Sequence, residues 1–80
     1  MAKLRYFTDA PNAPKAVGPY SQAVSQGSLV FLSGQIGLSP ATAAMVSESL
    51  EQQAEQIMAN LTAVLAHVGL DFSDVVKTTI

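Results

Sequence analysis

The chain has 80 residues, no cysteine, and a formal net charge of −2 from four Lys and Arg against six Asp and Glu. Those numbers exclude disulfides, thiolate catalysis and Cys-based metal sites, and they leave no basic cluster to grip a phosphate backbone. Only 12% of residues are charged while 49% are hydrophobic, so a chain this short is expected to hide part of its surface against other subunits. Nothing near the N-terminus has signal-peptide length and no apolar run approaches membrane-spanning length, which makes a cytoplasmic setting the expectation.

In chain order, residues 4–7 form a short candidate strand, with Leu4 and Tyr6 on one side and Arg5 and Phe7 on the other. Residues 8–19 read as a loop punctuated by Pro11, Pro14 and Pro19, each lacking a backbone donor. The loop closes at Val17-Gly18-Pro19 and delivers Tyr20 to a second extended segment, residues 20–25, with Tyr20, Gln22 and Val24 on one face. Gln26-Gly27-Ser28 is turn chemistry, and Gly-Ser between two extended runs signals a hairpin. The partner strand, residues 29–36, opens with the apolar run Leu29-Val30-Phe31-Leu32, which predicts a strand covered on both faces. It then changes to Ser33-Gly34-Gln35: a hydroxyl, a bare backbone and a side-chain amide. Antiparallel pairing would bring Tyr20 near that polar end.

Residues 37–44 are irregular around Ser39-Pro40, and Met45-Val46 is a brief extended piece. A helix of about nineteen residues follows. Leu50, Ala54, Ile57, Leu61, Val64, Leu65 and Val68 recur at three- and four-residue spacing and give one apolar stripe. Ser49 with Gln52 fits a capping box, Glu48 and Glu51 suit the helix N-terminus, and Gly69-Leu70 is a C-terminal stop. Beyond a polar link, Val75-Val76-Lys77-Thr78-Thr79-Ile80 has strand composition, with Val76, Thr78 and Ile80 on one face.

The common catalytic constellations are missing. The single histidine, His67, falls in the last helical turn, where a cation is favoured anyway. No cluster of metal ligands exists, and Gly34-Gln35-Ile36-Gly37 has neither phosphate-loop nor dinucleotide spacing. Asn60-Leu61-Thr62 matches a glycosylation acceptor by accident, inside a helix. From composition and pattern alone, Tyr20 and Ser33-Gly34-Gln35 are either a small-molecule pocket or simply the end of a strand.

Two stretches narrow that choice. Ala13-Pro14-Lys15-Ala16-Val17-Gly18-Pro19-Tyr20-Ser21-Gln22-Ala23 and Ser33-Gly34-Gln35-Ile36 resemble the RidA/YjgF family of reactive-intermediate (imine/enamine) deaminases. Glu51-Gln52-Gln53-Ala54, Asn60-Leu61 and Val75-Val76-Lys77-Thr78-Thr79 agree in order. The resemblance implies an α+β, chorismate-mutase-like fold: a mainly antiparallel sheet with a long helix on one face, here as a single domain lacking the family's C-terminal part. It implies homotrimers with intersubunit clefts, no metal or cofactor, and hydrolysis of 2-imino or 2-enamino acids such as 2-aminoacrylate and 2-iminobutanoate to 2-oxo acids and ammonia. On that resemblance Tyr20 is the catalytic residue, and Ser33, Gly34 and Gln35 contact substrate. The family's carboxylate-clamping arginine and late acidic residue fall beyond residue 80, and Arg5 matches no family motif, so little deaminase activity is expected of 80 residues alone. Ala43 stands where many relatives carry glycine. A non-catalytic metabolite-binding trimer is the alternative, and a translation inhibitor or endoribonuclease a further one, disfavoured by the scarcity of Lys and Arg.

Overall fold

A computed structural model describes residues 4–16 and 18–78. Three antiparallel strands, β1 (Arg5–Phe7), β2 (Ala23–Gln26) and β3 (Leu29–Leu32), form one sheet in the order β1-β2-β3. One long helix, α1 (Leu50–His67), and a single 3₁₀ turn (Phe72–Asp74) complete the regular structure among the described residues. The sheet and helix are those expected of an α+β fold.

The hairpin has the anticipated two-residue turn. Gln26 pairs with Leu29 across Gly27-Ser28, and Gly27 adopts φ +59°, the left-handed geometry such turns need. The register Phe7↔Ala23↔Leu32 sets three residues in a row across the sheet. Ala23 in that row is buried and packs with Ala10, Ala13 and Val64 of α1, and Phe7, Val30 and Leu32 close around them. Small alanines let helix, loop and sheet approach closely. The Phe7 ring meets His67 edge-on, with centroids 5.7 Å apart, which gives the helix-end histidine a packing role.

Among the described residues, no element covers the other face of the sheet. Tyr6, Val24 and Phe31 share a row there, and Tyr6, Leu29 and Phe31 are more than half exposed. The expectation that the 29–32 run is covered on both faces is therefore wrong for this chain. One helix covers one face, so only Val30 and Leu32 turn inward.

Helix α1 starts at the anticipated cap, with the Ser49 hydroxyl accepting from the Gln52 N–H at 3.4 Å, but the expected capping box is only half formed: the Ser49 N–H donates to the Ser47 hydroxyl at 3.0 Å instead of to the Gln52 side chain. It stops in a Schellman motif. Gly69, at φ +80°, donates to the Ala66 carbonyl at 3.0 Å and Leu70 to the Leu65 carbonyl at 2.9 Å. The apolar stripe is buried only towards its C-terminal half, at Val64 and Leu65, while Leu50 is 83% exposed. A helix of about 27 Å overruns strands of three and four residues. The irregular segment after β3 fills part of the gap. Leu38 bridges Met45, as the brief extended piece suggests, and Gly37 is pressed so closely to the helix that a Cβ on it would lie 3.1 Å from Gln53 Cα.

Val75 has extended backbone, but residues 75–78 form no strand, and Val76 is 94% exposed. The expected strand over 75–80 has strand composition without a neighbour to complete it; Thr79 and Ile80 lie outside the described residues.

Candidate functional site

The polar end of β3 is positioned by Gln22. Just past the last paired row, the Gln22 carbonyl accepts from the Ser33 N–H at 3.0 Å and from the Ser33 hydroxyl at 3.2 Å, while its own N–H donates to the Phe7 carbonyl at 2.7 Å. The side chain turns inward and is 1% exposed. Its Oε1 accepts from the Ala10 N–H at 2.7 Å and its Nε2 donates to the Pro14 carbonyl at 2.5 Å. An unpaired buried amide would cost several kcal/mol, on the order of 2–7; here every polar group of Gln22 has a partner.

A second buried amide holds the far side of the bend. Asn60 is fully buried in α1. Its Nδ2 donates to the carbonyls of Ile36 and Leu38, both at 3.0 Å, and its Oδ1 accepts from Gln56 Nε2 at 2.8 Å. Between these clamps, Ser33 and Gln35 are half-buried and Gly34 is exposed, with no atom within 4 Å of where its Cβ would stand.

Tyr20 does not belong to β2, which begins at Ala23 rather than at residue 20. Pro19 has no N–H to give a ladder, Gly18 takes φ +111°, and the Tyr20 N–H closes a three-residue turn onto the Gly18 carbonyl at 2.9 Å. The chain therefore bends before the strand, and Tyr20 sits two residues ahead of the Gln22–Ser33 pair with its side chain 48% exposed. Val17, in the same loop, lies outside the described residues.

These parts make a wall rather than an enclosed pocket. Two open hollows flank residues 9–13, and neither is lined by Tyr20, Ser33, Gly34 or Gln35. Arg5 is no substitute for a carboxylate clamp. Its guanidinium stacks 5.1 Å from the Phe7 ring centroid, and its Ser25–Val30 row is three residues from Ser33, about 10 Å along the strand. No group of three or more His, Cys, Asp or Glu able to hold a metal occurs among the described residues.

Gln22 and Asn60 are the site-shaping residues that sequence reasoning passed over. For Asn60 a signal was present: it falls three residues after Ile57 and four before Val64, on the buried stripe itself. Gln22 carried no such mark, since its role depends on the path of the loop below it.

Comparison with known proteins matches this geometry to a family. Residues 10–80 match the family model described as Endoribonuclease L-PSP. The protein DfrA of Myxococcus xanthus is 61% identical over 82 residues, covering 100% of this chain and 61% of its own. The human 2-iminobutanoate/2-iminopropanoate deaminase is 40% identical over 77 residues, covering 96% and 56%. The Arabidopsis thaliana chloroplastic Reactive Intermediate Deaminase A is 56% identical over 68 residues, covering 85% and 36%. Among solved structures, RidA from an Antarctic Psychrobacter superposes with a TM-score of 0.79 at 40% identity, over 88% of this chain and 56% of that one. E. coli TdcF with bound serine gives 0.78 at 36% identity, over 88% and 54%. The chain thus spans between about a third and three-fifths of the length of these curated relatives. With its antiparallel sheet, its long helix and a family match over residues 10–80, the chain belongs to the RidA/YjgF family.

Proposed function

We propose that the protein takes part in hydrolytic deamination of reactive 2-imino and 2-enamino acids, with this chain supplying one wall of the site. The observation that carries the reading is the 40% identity to the human 2-iminobutanoate/2-iminopropanoate deaminase across 96% of the chain. In the reaction, the oxygen of water adds to the imine carbon, a proton passes to the nitrogen, and the C–N bond breaks to leave a 2-oxo acid and ammonia. Tyr20, with its exposed side chain, is the catalytic residue: a phenol can hydrogen-bond the attacking water at the distance proton transfer needs. Ser33, Gly34 and Gln35 hold the planar substrate, because a bend braced on both sides positions small ligands without rearrangement.

The same reading makes the protein a homotrimer. The uncovered row of Tyr6 and Phe31, with Leu29, is an apolar sheet face of the kind that subunits bury, and a cleft between copies would enclose what is an open wall in one chain. The carboxylate-gripping arginine and a late acidic residue belong to the family's C-terminal part.

The test is ammonia release from imine generated in place by a pyridoxal-phosphate-dependent threonine dehydratase. From protein carrying the family's full length, acceleration over buffer, lowered at least tenfold in Tyr20→Phe, is expected. Release no faster than in buffer from protein carrying the family's full length would refute the assignment.

A further inference from the structure

We propose that Asn60 is a positioning residue for ligand binding: from inside α1 it sets where the backbone carrying Gln35 stands. The inference rests on the deaminase reading of the site. The bend is pinned at Ser33 by the Gln22 carbonyl. The next pin is Ile36, whose carbonyl accepts from Asn60 Nδ2 at 3.0 Å. Between the two, Gly34 and Gln35 form no hydrogen bond among the described residues, so their neighbours set their place. A side-chain amide has two N–H donors and one acceptor oxygen. Asn60 Nδ2 meets the Ile36 and Leu38 carbonyls, and Gln56 Nε2 donates to Asn60 Oδ1 at 2.8 Å. Turning the amide over would set donor against donor and oxygen against two carbonyls, so its direction is fixed.

The contact between bend and helix leaves no slack. A Cβ on Gly37 would lie 3.1 Å from Gln53 Cα and 3.2 Å from the Gln53 carbonyl oxygen, both helix backbone that cannot step aside. Gln53 Nε2 also donates to the Ser47 carbonyl at 2.9 Å, holding the far end of the same segment. Without Asn60, residues 34–36 are free to sample positions in which Gln35 and its backbone miss the ligand. A ligand then binds only the fraction of molecules that hold the bend in place, and its apparent affinity falls by that fraction. α1 thus touches no substrate yet governs how well the bend receives one.

The test is an NMR titration with 2-oxobutanoate, a 2-oxo acid product of the proposed reaction, in protein carrying the family's full length and well below every melting point. The signals followed are those of folded protein, so a merely structural loss leaves Kd unchanged. Asn60→Ala should raise Kd about fivefold or more. Gly37→Ala, which pushes the same backbone off the helix with Asn60 intact, should do likewise and decides the matter if Asn60→Ala does not fold. Leu65→Ala, a cavity elsewhere on α1 that also weakens the fold, should stay within about twofold of wild type. The Gly34 and Gln35 amide order parameters should drop from about 0.85 to below about 0.6 in Asn60→Ala. A Kd within about twofold of wild type in both bend variants would overturn the proposal, as would an equal rise in Leu65→Ala or wild-type protein that takes up no ligand. The outcome separates from the deaminase reading: a Kd that depends on Asn60 without imine turnover would sink that reading alone, and turnover with an unchanged Kd would sink this one alone.

Discussion

Replacing Asn60 by alanine measures how much of this small fold hangs on one buried amide. Its Nδ2 ties the carbonyls of Ile36 and Leu38 to α1. The Ile36 carbonyl also accepts the Leu38 N–H at 2.8 Å and keeps that partner. The Leu38 carbonyl has Asn60 as its partner among the described residues and would be orphaned. Orphaning one buried carbonyl costs about 1–3 kcal/mol, and losing a second hydrogen bond about 1 more. A loss of about 3 kcal/mol stands against a total stability of roughly 4–12 kcal/mol for a domain of this size. At fixed protein concentration the melting temperature should fall by about 12–24 °C. A fall below about 4 °C, with an unchanged urea m-value, would refute the reasoning. Asn60→Asp sharpens it by setting a carboxylate against the same two carbonyls, which raises the introduced group's folded pKa above its unfolded value. Its deficit relative to wild type should therefore be smallest in acid, grow as pH rises from about 4 to the folded pKa, and stay level above it.

Two further outcomes follow from backbone and charge. Ala43 sits at φ +59°, where an L-residue other than glycine pays about 1–2 kcal/mol; glycine removes that strain but adds freedom to the unfolded chain. Ala43→Gly should raise the melting temperature by about 2–8 °C, Ala43→Val should lower it, and a fall with glycine would contradict the turn geometry. Asp71 caps the 3₁₀ turn, and hydrogen bonds from the Ser73 hydroxyl and then the Ser73 N–H hold its pKa below the ordinary aspartate range. Because the folded value is the lower one, this stabilisation is present at neutral pH and lost as pH falls through the folded pKa. A carbon-detected carboxyl titration should show a midpoint under the model-peptide value that rises in Ser73→Ala; an ordinary midpoint would count against the cap.

Local patterns were legible because local forces decide them. The 3.6-residue period, Ser49 and Gly69-Leu70 marked the helix within a residue of its ends, and Gly27-Ser28 marked the hairpin. What escaped was set by distant neighbours. Leu29 and Phe31 have a buried strand's composition, yet whether they are covered depends on a second layer that this chain does not place there. Tyr20 looked like a strand residue because alternation cannot register the bend that Gly18 and Pro19 make ahead of it. Within the candidate site, the motif residues could be named from sequence and the place of Asn60 on the buried stripe could have been read there, but the role of Gln22 could not. A polar side chain is buried only when a particular turn of backbone comes to meet it.

The Gln22 side chain offers one carbonyl and one N–H group to residues 10–14, the same pair of functions that a peptide unit would supply. It acts as a fragment of a missing fourth strand, knitting an irregular loop to the sheet without any ladder. The approach to Tyr20 is thus laid on a fixed sill rather than a swinging one, and a ligand arriving at this wall would meet a surface already in its working shape.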